Sequence, residues 1–118
     1  MILVDTSVWL DHLRARNRTL ISLLRAEQVL THPFVIGELA CGALRNREDI
    51  LRHLTALPRA TAAGHDEVLS FVERRGLFGR GIEWIDAHLL ASAVLTHVQL
   101  ITLDRRLSRV AESVGVSG

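Results

Sequence analysis

Four carboxylates stand where a charge needs a physical reason: Asp5, Glu38, Asp86 and Asp104. Asp5 ends the short apolar run that opens the chain, and Asp104 follows the run Val98–Leu103, so each reads as closing a buried strand. Glu38 lies in Val35-Ile36-Gly37-Glu38-Leu39-Ala40-Cys41, and Asp86 in Trp84-Ile85-Asp86-Ala87-His88-Leu89-Leu90-Ala91. Both are helical patterns with little polar face. A charge on such a helix must be paired, bound to a cation or set at the mouth of a cavity. Brought together, four carboxylates repel one another and raise each other's pKa unless a cation joins them. Oxygen-only ligands suit a hard ion, Mg²⁺ or Mn²⁺, and no Cys or His pair here has zinc spacing. An ion held in this way binds phosphate oxygens, lowers the pKa of a bound water and neutralises charge that develops during displacement. In that chemistry Asp5 and Asp104 ligate directly, and Glu38 and Asp86 either ligate or orient the attacking water. Ser7 and Thr102 are the hydroxyls placed to assist.

Each acid also has a plainer reading. A helix follows both Asp5 and Asp104 directly, so either carboxylate reads equally as a helix N-cap. Thr6 and Ser7 would cap the first helix just as well. Asp86 also suits the first turn of a helix, where the dipole favours an anion. An arginine partner would neutralise Glu38 or Asp86. The joint placement argues more strongly than any single acid, because two close strands of one sheet and two sit on helices that must cover it.

The elements that would position these acids alternate between strand and helix. Strands are expected at residues 1–5, 28–31, 59–63 and 98–103. Helices are expected at about 6–13, 19–26, 34–44, 48–57, 66–74, 85–97 and 105–113. Pro33 suits a first helical position, Pro58 a helix stop, and Gly76, Gly79 and Gly81 a loop. Strands separated by helices imply a parallel sheet covered on both faces, with ligands at the carboxyl ends of the strands.

Composition bounds the rest. A chain of 118 residues is expected to form one domain over 1–118, and its 48% apolar content is ample for a packed core. No apolar run is long enough for a membrane span, the opening residues do not resemble a signal peptide, and Cys41 has no disulfide partner. A cytoplasmic protein is expected. All 14 basic residues are arginine, although the net charge is only +1. Four acids withdrawn into one site would leave nine against those 14 arginines, a surplus of five positive charges over the remaining surface. That background suits a polyanion. Arg14, Arg16 and Arg18, and Arg105 with Arg106, read as either phosphate contacts or solvated faces, and Arg80 as a mobile contact in the glycine loop. None of the six histidines is assigned a role. Without tyrosine, and with two tryptophans, base-stacking platforms are not expected.

The opening Ile2-Leu3-Val4-Asp5-Thr6-Ser7-Val8-Trp9, the helix around Glu38-Leu39, the segment Asp86-Ala87-His88-Leu89-Leu90-Ala91 and Thr102-Leu103-Asp104 follow a known order and spacing. In them the chain resembles PIN-domain ribonucleases, specifically VapC-type toxins of toxin–antitoxin pairs, over essentially its whole length. The resemblance implies a three-layer α/β/α sandwich with a four- to five-stranded parallel sheet. It implies Mg²⁺- or Mn²⁺-dependent endoribonuclease activity on structured RNA, transfer or ribosomal, at Asp5, Glu38, Asp86 and Asp104, with Ser7 or Thr102 assisting. It further implies a homodimer and a VapB-type antitoxin whose C-terminal segment covers the site. One departure is that the residues end soon after Gly115-Val116, which leaves the family's final strand short or missing.

Two other classes were weighed against this reading. A phosphoacceptor domain or haloacid-dehalogenase-like phosphatase also puts acids at strand ends. Both normally need a lysine, of which there is none, and the phosphatase wants an aspartate where Ser7 stands. A catalytically silent module of the same fold, acting through a protein partner, is the alternative that the residues leave open.

Overall fold

Three short apolar segments pair into a parallel sheet, and everything else is arranged around them. The computed structural model describes residues 1–118. The strands are β1 (Ile2–Val4), β2 (Val29–Leu30) and β3 (Gln99–Ile101). The order is β2-β1-β3, with Ile2 opposite both Val29 and Gln99. Between β1 and β2 lie α1 (Thr6–Ala15) and α2 (Arg18–Arg25). Between β2 and β3 lie α3 (Pro33–Ala40), α4 (Arg47–Ala56), α5 (His65–Arg75) and α6 (Trp84–Thr96); α7 (Arg105–Ser113) follows β3. From β1 the chain moves to one side and then returns past it to the other. Right-handed crossovers in opposite directions put helices on opposite faces of the sheet, so the architecture is the expected α/β/α sandwich. It also makes the carboxyl ends of β1 and β3 a topological switch point, where such sheets bind ligands.

The sheet is narrower than expected, with three strands rather than four or five. The segment expected as a strand at 59–63 makes one bridge, Thr31 opposite Arg59. Pro58 has no N–H to give; it accepts from the Thr31 N–H, and Thr31 accepts from Ala60, both at 2.9 Å, after which the pairing stops. At the other edge Leu100 bridges Ser117, donating to the Val116 carbonyl at 2.7 Å and accepting from Gly118 at 3.2 Å. The final strand is therefore reduced to a single bridge that still covers the edge of β3. Helix α3 stops at Ala40, earlier than the pattern suggests, because Arg47 donates Nε and Nη2 to the Ala40 carbonyl at 3.1 and 2.8 Å. A side chain there satisfies the carbonyl that a further helical turn would have used.

A single cluster of 25 buried apolar residues forms the core. Leu3 and Val4 supply the strand layer, and α6 crosses it with every residue from Ala87 to Ala93 buried. A helix apolar on all sides belongs inside, which explains why α6 packs on β3 and is covered by α5.

His32 is a polar member of this interior. It stands at the N-cap of α3, where Nδ1 accepts from the Phe34 N–H at 3.0 Å; the ring proton is therefore on Nε2, which is buried without a partner. Burial first, then the charges of His88 and Arg59, lower its pKa from the usual 6.5 to about 4. The unfolded chain consequently binds this proton more tightly than the folded one. Stability is complete above the unfolded value and declines as pH falls from about 6.5 towards about 4. Burial lowers the His88 pKa too, so both rings act in one direction. Denaturant unfolding across this range is expected to show the decline. His32→Asn, which keeps a capping acceptor, is expected to flatten it. An unchanged slope in the variant would remove His32 as its source.

Candidate active site

Asp5 occupies the N-cap position of α1 but caps nothing with its side chain. Helix α1 begins at Thr6, so neither Thr6 nor Ser7 is a cap either; both hydroxyls are used elsewhere. Ser7 Oγ and Thr102 Oγ1 each donate to Asp5 Oδ2 at 2.7 Å. The same two oxygens accept backbone protons, Ser7 Oγ from Leu103 at 2.9 Å and Thr102 Oγ1 from Asp104 at 3.0 Å. Each hydroxyl proton is spent on Asp5, so the 3.2 Å approach of the two hydroxyls has no proton left to share. The Asp5 N–H donates to Ile101 O at 3.0 Å. The end of β1, the start of α1 and the turn after β3 are thus tied at one carboxylate, which is buried while its Oδ1 accepts no hydrogen bond from the protein.

The other acids repeat this division of labour. Glu38 accepts from Thr6 Oγ1 through Oε1 at 2.7 Å. Asp86, in the first turn of α6, accepts from the Glu83 N–H through Oδ2 at 3.0 Å. Asp104 caps α7, taking the N–H groups of Arg106 and Leu107 on Oδ1 at 2.9 and 3.2 Å. In all four, one oxygen is anchored and the other makes no hydrogen bond within the protein. None is paired with an arginine; the ion pair in the molecule is Arg52 with Asp49, on exposed α4. The capping reading therefore holds for Asp104 and fails for Asp5, and neutralisation by arginine fails for Glu38 and Asp86.

Placement is uneven. Asp86 and Asp104 line one cleft of about 450 Å³ with Gly81, Glu83, Arg105 and Arg106, and no apolar residue takes part. Burial, opposed by the Glu83 backbone hydrogen bond, raises the Asp86 pKa above its usual value; the charges of Asp5, Asp104 and Glu83 raise it further. Glu38 is joined to this group through Thr6, the residue after Asp5, and does not line the cleft. It is exposed, contrary to the burial expected from its apolar surroundings. Phe34, Gly37, Glu38 and Cys41 form the outward stripe of α3, while Val35 and Leu39 face the core. No three His, Cys, Asp or Glu side chains are grouped closely enough to hold a metal ion among them.

These donors fit a hard divalent ion. They are oxygens only, each acid keeps one free of hydrogen bonds, and none is ion-paired, although Arg105 and Arg106 line the same cleft. Mg²⁺ in particular keeps several waters and needs one or two carboxylates rather than a cage. Glu83 is a third acid lining the cleft, beside Asp86 and Asp104, and the sequence pattern did not single it out. Its signal was its place three residues before Asp86, at the start of the same helix. His88, given no role, faces away from the acids against Trp84 and Phe34, with ring centroids at 4.6 and 4.5 Å.

The raised Asp86 pKa has a consequence for the metal-free protein. A carboxyl whose folded pKa lies above its unfolded value favours the fold at low pH and loses that contribution as pH rises through the folded value. In EDTA at neutral pH, Asp86→Asn is expected to melt no lower than wild type and to flatten the pH dependence of melting above the usual carboxylate range. A clear fall in melting temperature would mean that the Asp86 charge supports the fold.

The PIN domain family model matches residues 2–113. The chain is 45% identical over 118 residues to Ribonuclease VapC32 of Mycobacterium tuberculosis, in two strains, covering 99% of this chain and 95% of each relative. A hydroxyethylthiazole kinase of Yersinia enterocolitica matches 66% of the chain at 31% identity, but only 30% of the kinase is covered, too little to define a family.

Proposed function

The chain belongs to the PIN-domain family as a VapC-type ribonuclease, and from that premise we propose that it is a Mg²⁺- or Mn²⁺-dependent endoribonuclease. It acts as the toxin of a type II toxin–antitoxin pair in the cytoplasm and cuts structured RNA, transfer or ribosomal. The observation that carries the reading is the anchoring of Asp5. One oxygen is fixed by Ser7 and Thr102, and the other is left free beside Asp86 and Asp104 at the sheet's switch point. Asp5, Asp86 and Asp104, with Glu38, are the residues that would hold the ion. When bound, the ion would contact phosphate oxygens and make water a nucleophile near neutral pH.

The protein's own part is positioning. Ser7 and Thr102 fix the Asp5 carboxylate so that its free oxygen needs no rearrangement when substrate arrives. The backbone at Glu83 and α7 does the same for Asp86 and Asp104.

A VapB-type antitoxin and a second copy of the chain complete the proposal as partners. An apolar cleft of about 470 Å³ among α1, α2 and α4, including Trp9, Leu13, Leu24, Leu54 and Leu57, supports a partner segment with apolar side chains. No helix is long and apolar enough to cross a membrane.

Purified protein with Mn²⁺ or Mg²⁺ is expected to cut total bacterial RNA at discrete positions, read by sequencing new 5′ ends. EDTA or Asp5→Asn is expected to abolish the cuts, a loss of at least about a hundredfold. Metal-independent cutting, or full activity in Asp5→Asn, would overturn the mechanism. Expressed without its antitoxin, wild type is expected to arrest bacterial growth and Asp5→Asn to permit it; arrest by both would separate toxicity from the acids.

A further inference from the structure

Arg106 lies across Gly81 in the cleft that holds Asp86 and Asp104. Gly81 has φ +80°, and a Cβ there would stand 2.9 Å from Arg106 Cδ and 3.4 Å from Nε and Nη1. The backbone conformation favours glycine, and a Cβ there would push the Arg106 side chain out of its present position. The loop carrying Gly81 is also tied to α7 by Arg80, whose Nη1 donates to Ser113 Oγ at 3.1 Å. Arg106 is thus seated by packing. Its guanidinium makes no ion pair and donates no hydrogen bond, although the carboxylates of Glu83, Asp86 and Asp104 line the same cleft. Five N–H donors in a planar fork are left for something that enters from outside.

An anionic substrate approaching this cleft meets several carboxylates that no protein cation neutralises. Electrostatics alone would repel it, and a positive group at the rim offsets that repulsion locally without occupying the acids. We propose that Gly81 and Arg106 form a phosphate seat, in which the glycine holds the guanidinium at the cleft edge to grip an RNA backbone phosphate beside the bond that is cut. This rests on the ribonuclease reading and adds to it a substrate-binding side chain and the loop residue that positions it. Arg80, the loop arginine expected to reach a substrate, is instead the loop's anchor.

The test measures binding of a labelled single-stranded RNA oligonucleotide by otherwise wild-type protein in EDTA, where cleavage is expected to stop, at several salt concentrations, with wild-type cleavage in Mg²⁺ run alongside. Arg106→Ala is expected to weaken binding about tenfold and to lower the slope of log affinity against log salt by about 0.7. Arg106→Lys is expected to restore the slope but not the full affinity, since a point charge replaces the fork. Gly81→Ala should reproduce the Arg106→Ala loss, and the double variant should lose no more than Arg106→Ala alone. If Gly81→Ala fails to fold, the two exposed Arg106 variants decide the matter. In the active enzyme, Arg106→Ala is expected to raise KM by a larger factor than it lowers kcat. Unchanged affinity and slope in Arg106→Ala would overturn the seat, as would independent, additive losses at Gly81 and Arg106. A wild type that cuts with metal while Arg106→Ala binds normally removes the seat alone; a wild type that cuts nothing removes the nuclease reading.

Discussion

Asp5 Oδ2 takes two hydroxyl protons, one from the first turn of α1 and one from the turn after β3. Two charge-assisted bonds to one buried oxygen outweigh the cost of placing a carboxylate at the end of a core strand. They also bring together parts of the chain more than ninety residues apart. Because Ser7 and Thr102 in turn accept from the backbone of Leu103 and Asp104, the same network sets where α7 begins. Remove the carboxylate and two hydroxyls lose their acceptor, two backbone turns lose their brace, and Asp104 loses its fixed approach to the cleft.

The topology explains why this bond can serve a site. A sheet ordered β2-β1-β3 opens a crevice where β1 and β3 diverge at their carboxyl ends. Helix α6 supplies Asp86 from one side, and α7 supplies Asp104 and Arg106 from the other. All four acids are anchored through one oxygen: Asp104 by a helix cap and Asp86 by a first-turn backbone N–H, both local, but Glu38 by the distant Thr6 and Asp5 by Ser7 and the distant Thr102. Function and folding therefore share the same groups. The acids fix local geometry with one oxygen and leave the other for chemistry, and at Asp86 burial first, then the neighbouring carboxylates, raise the pKa.

Much of this was legible in the residues. All seven helices and the three paired strands occur near where hydrophobic period, proline and glycine put them, because those signals reflect burial and backbone limits that are local; α3 stops at Ala40 rather than 44, and β3 ends at Ile101, three residues before Asp104, rather than at 103. The sheet's width was not legible. Whether 59–63 forms a strand depends on how far its backbone runs beside β2, which no side-chain pattern records. The exposure of Glu38 was missed for a related reason: an apolar helix reads as buried, and only the packing of α3 decides which stripe faces out. The two roles of Asp5 and Asp104, equal as N-caps in sequence, separate only when Ser7 and Thr102 are seen to claim Asp5. Arg106 over Gly81 was invisible as a pair, because a long side chain lying across a distant glycine leaves no periodic trace.

The central claim is that these carboxylates keep their free oxygens for a hard divalent ion, and calorimetric titration of Mn²⁺ into the metal-free protein at neutral pH tests it most directly. The account expects saturable binding to wild type and strongly weakened binding to Asp5→Asn, with Arg52→Ala, on α4 and outside the cleft, behaving as wild type. Absence of Mn²⁺ and Mg²⁺ binding by folded wild type, or equal binding by Asp5→Asn, would contradict it.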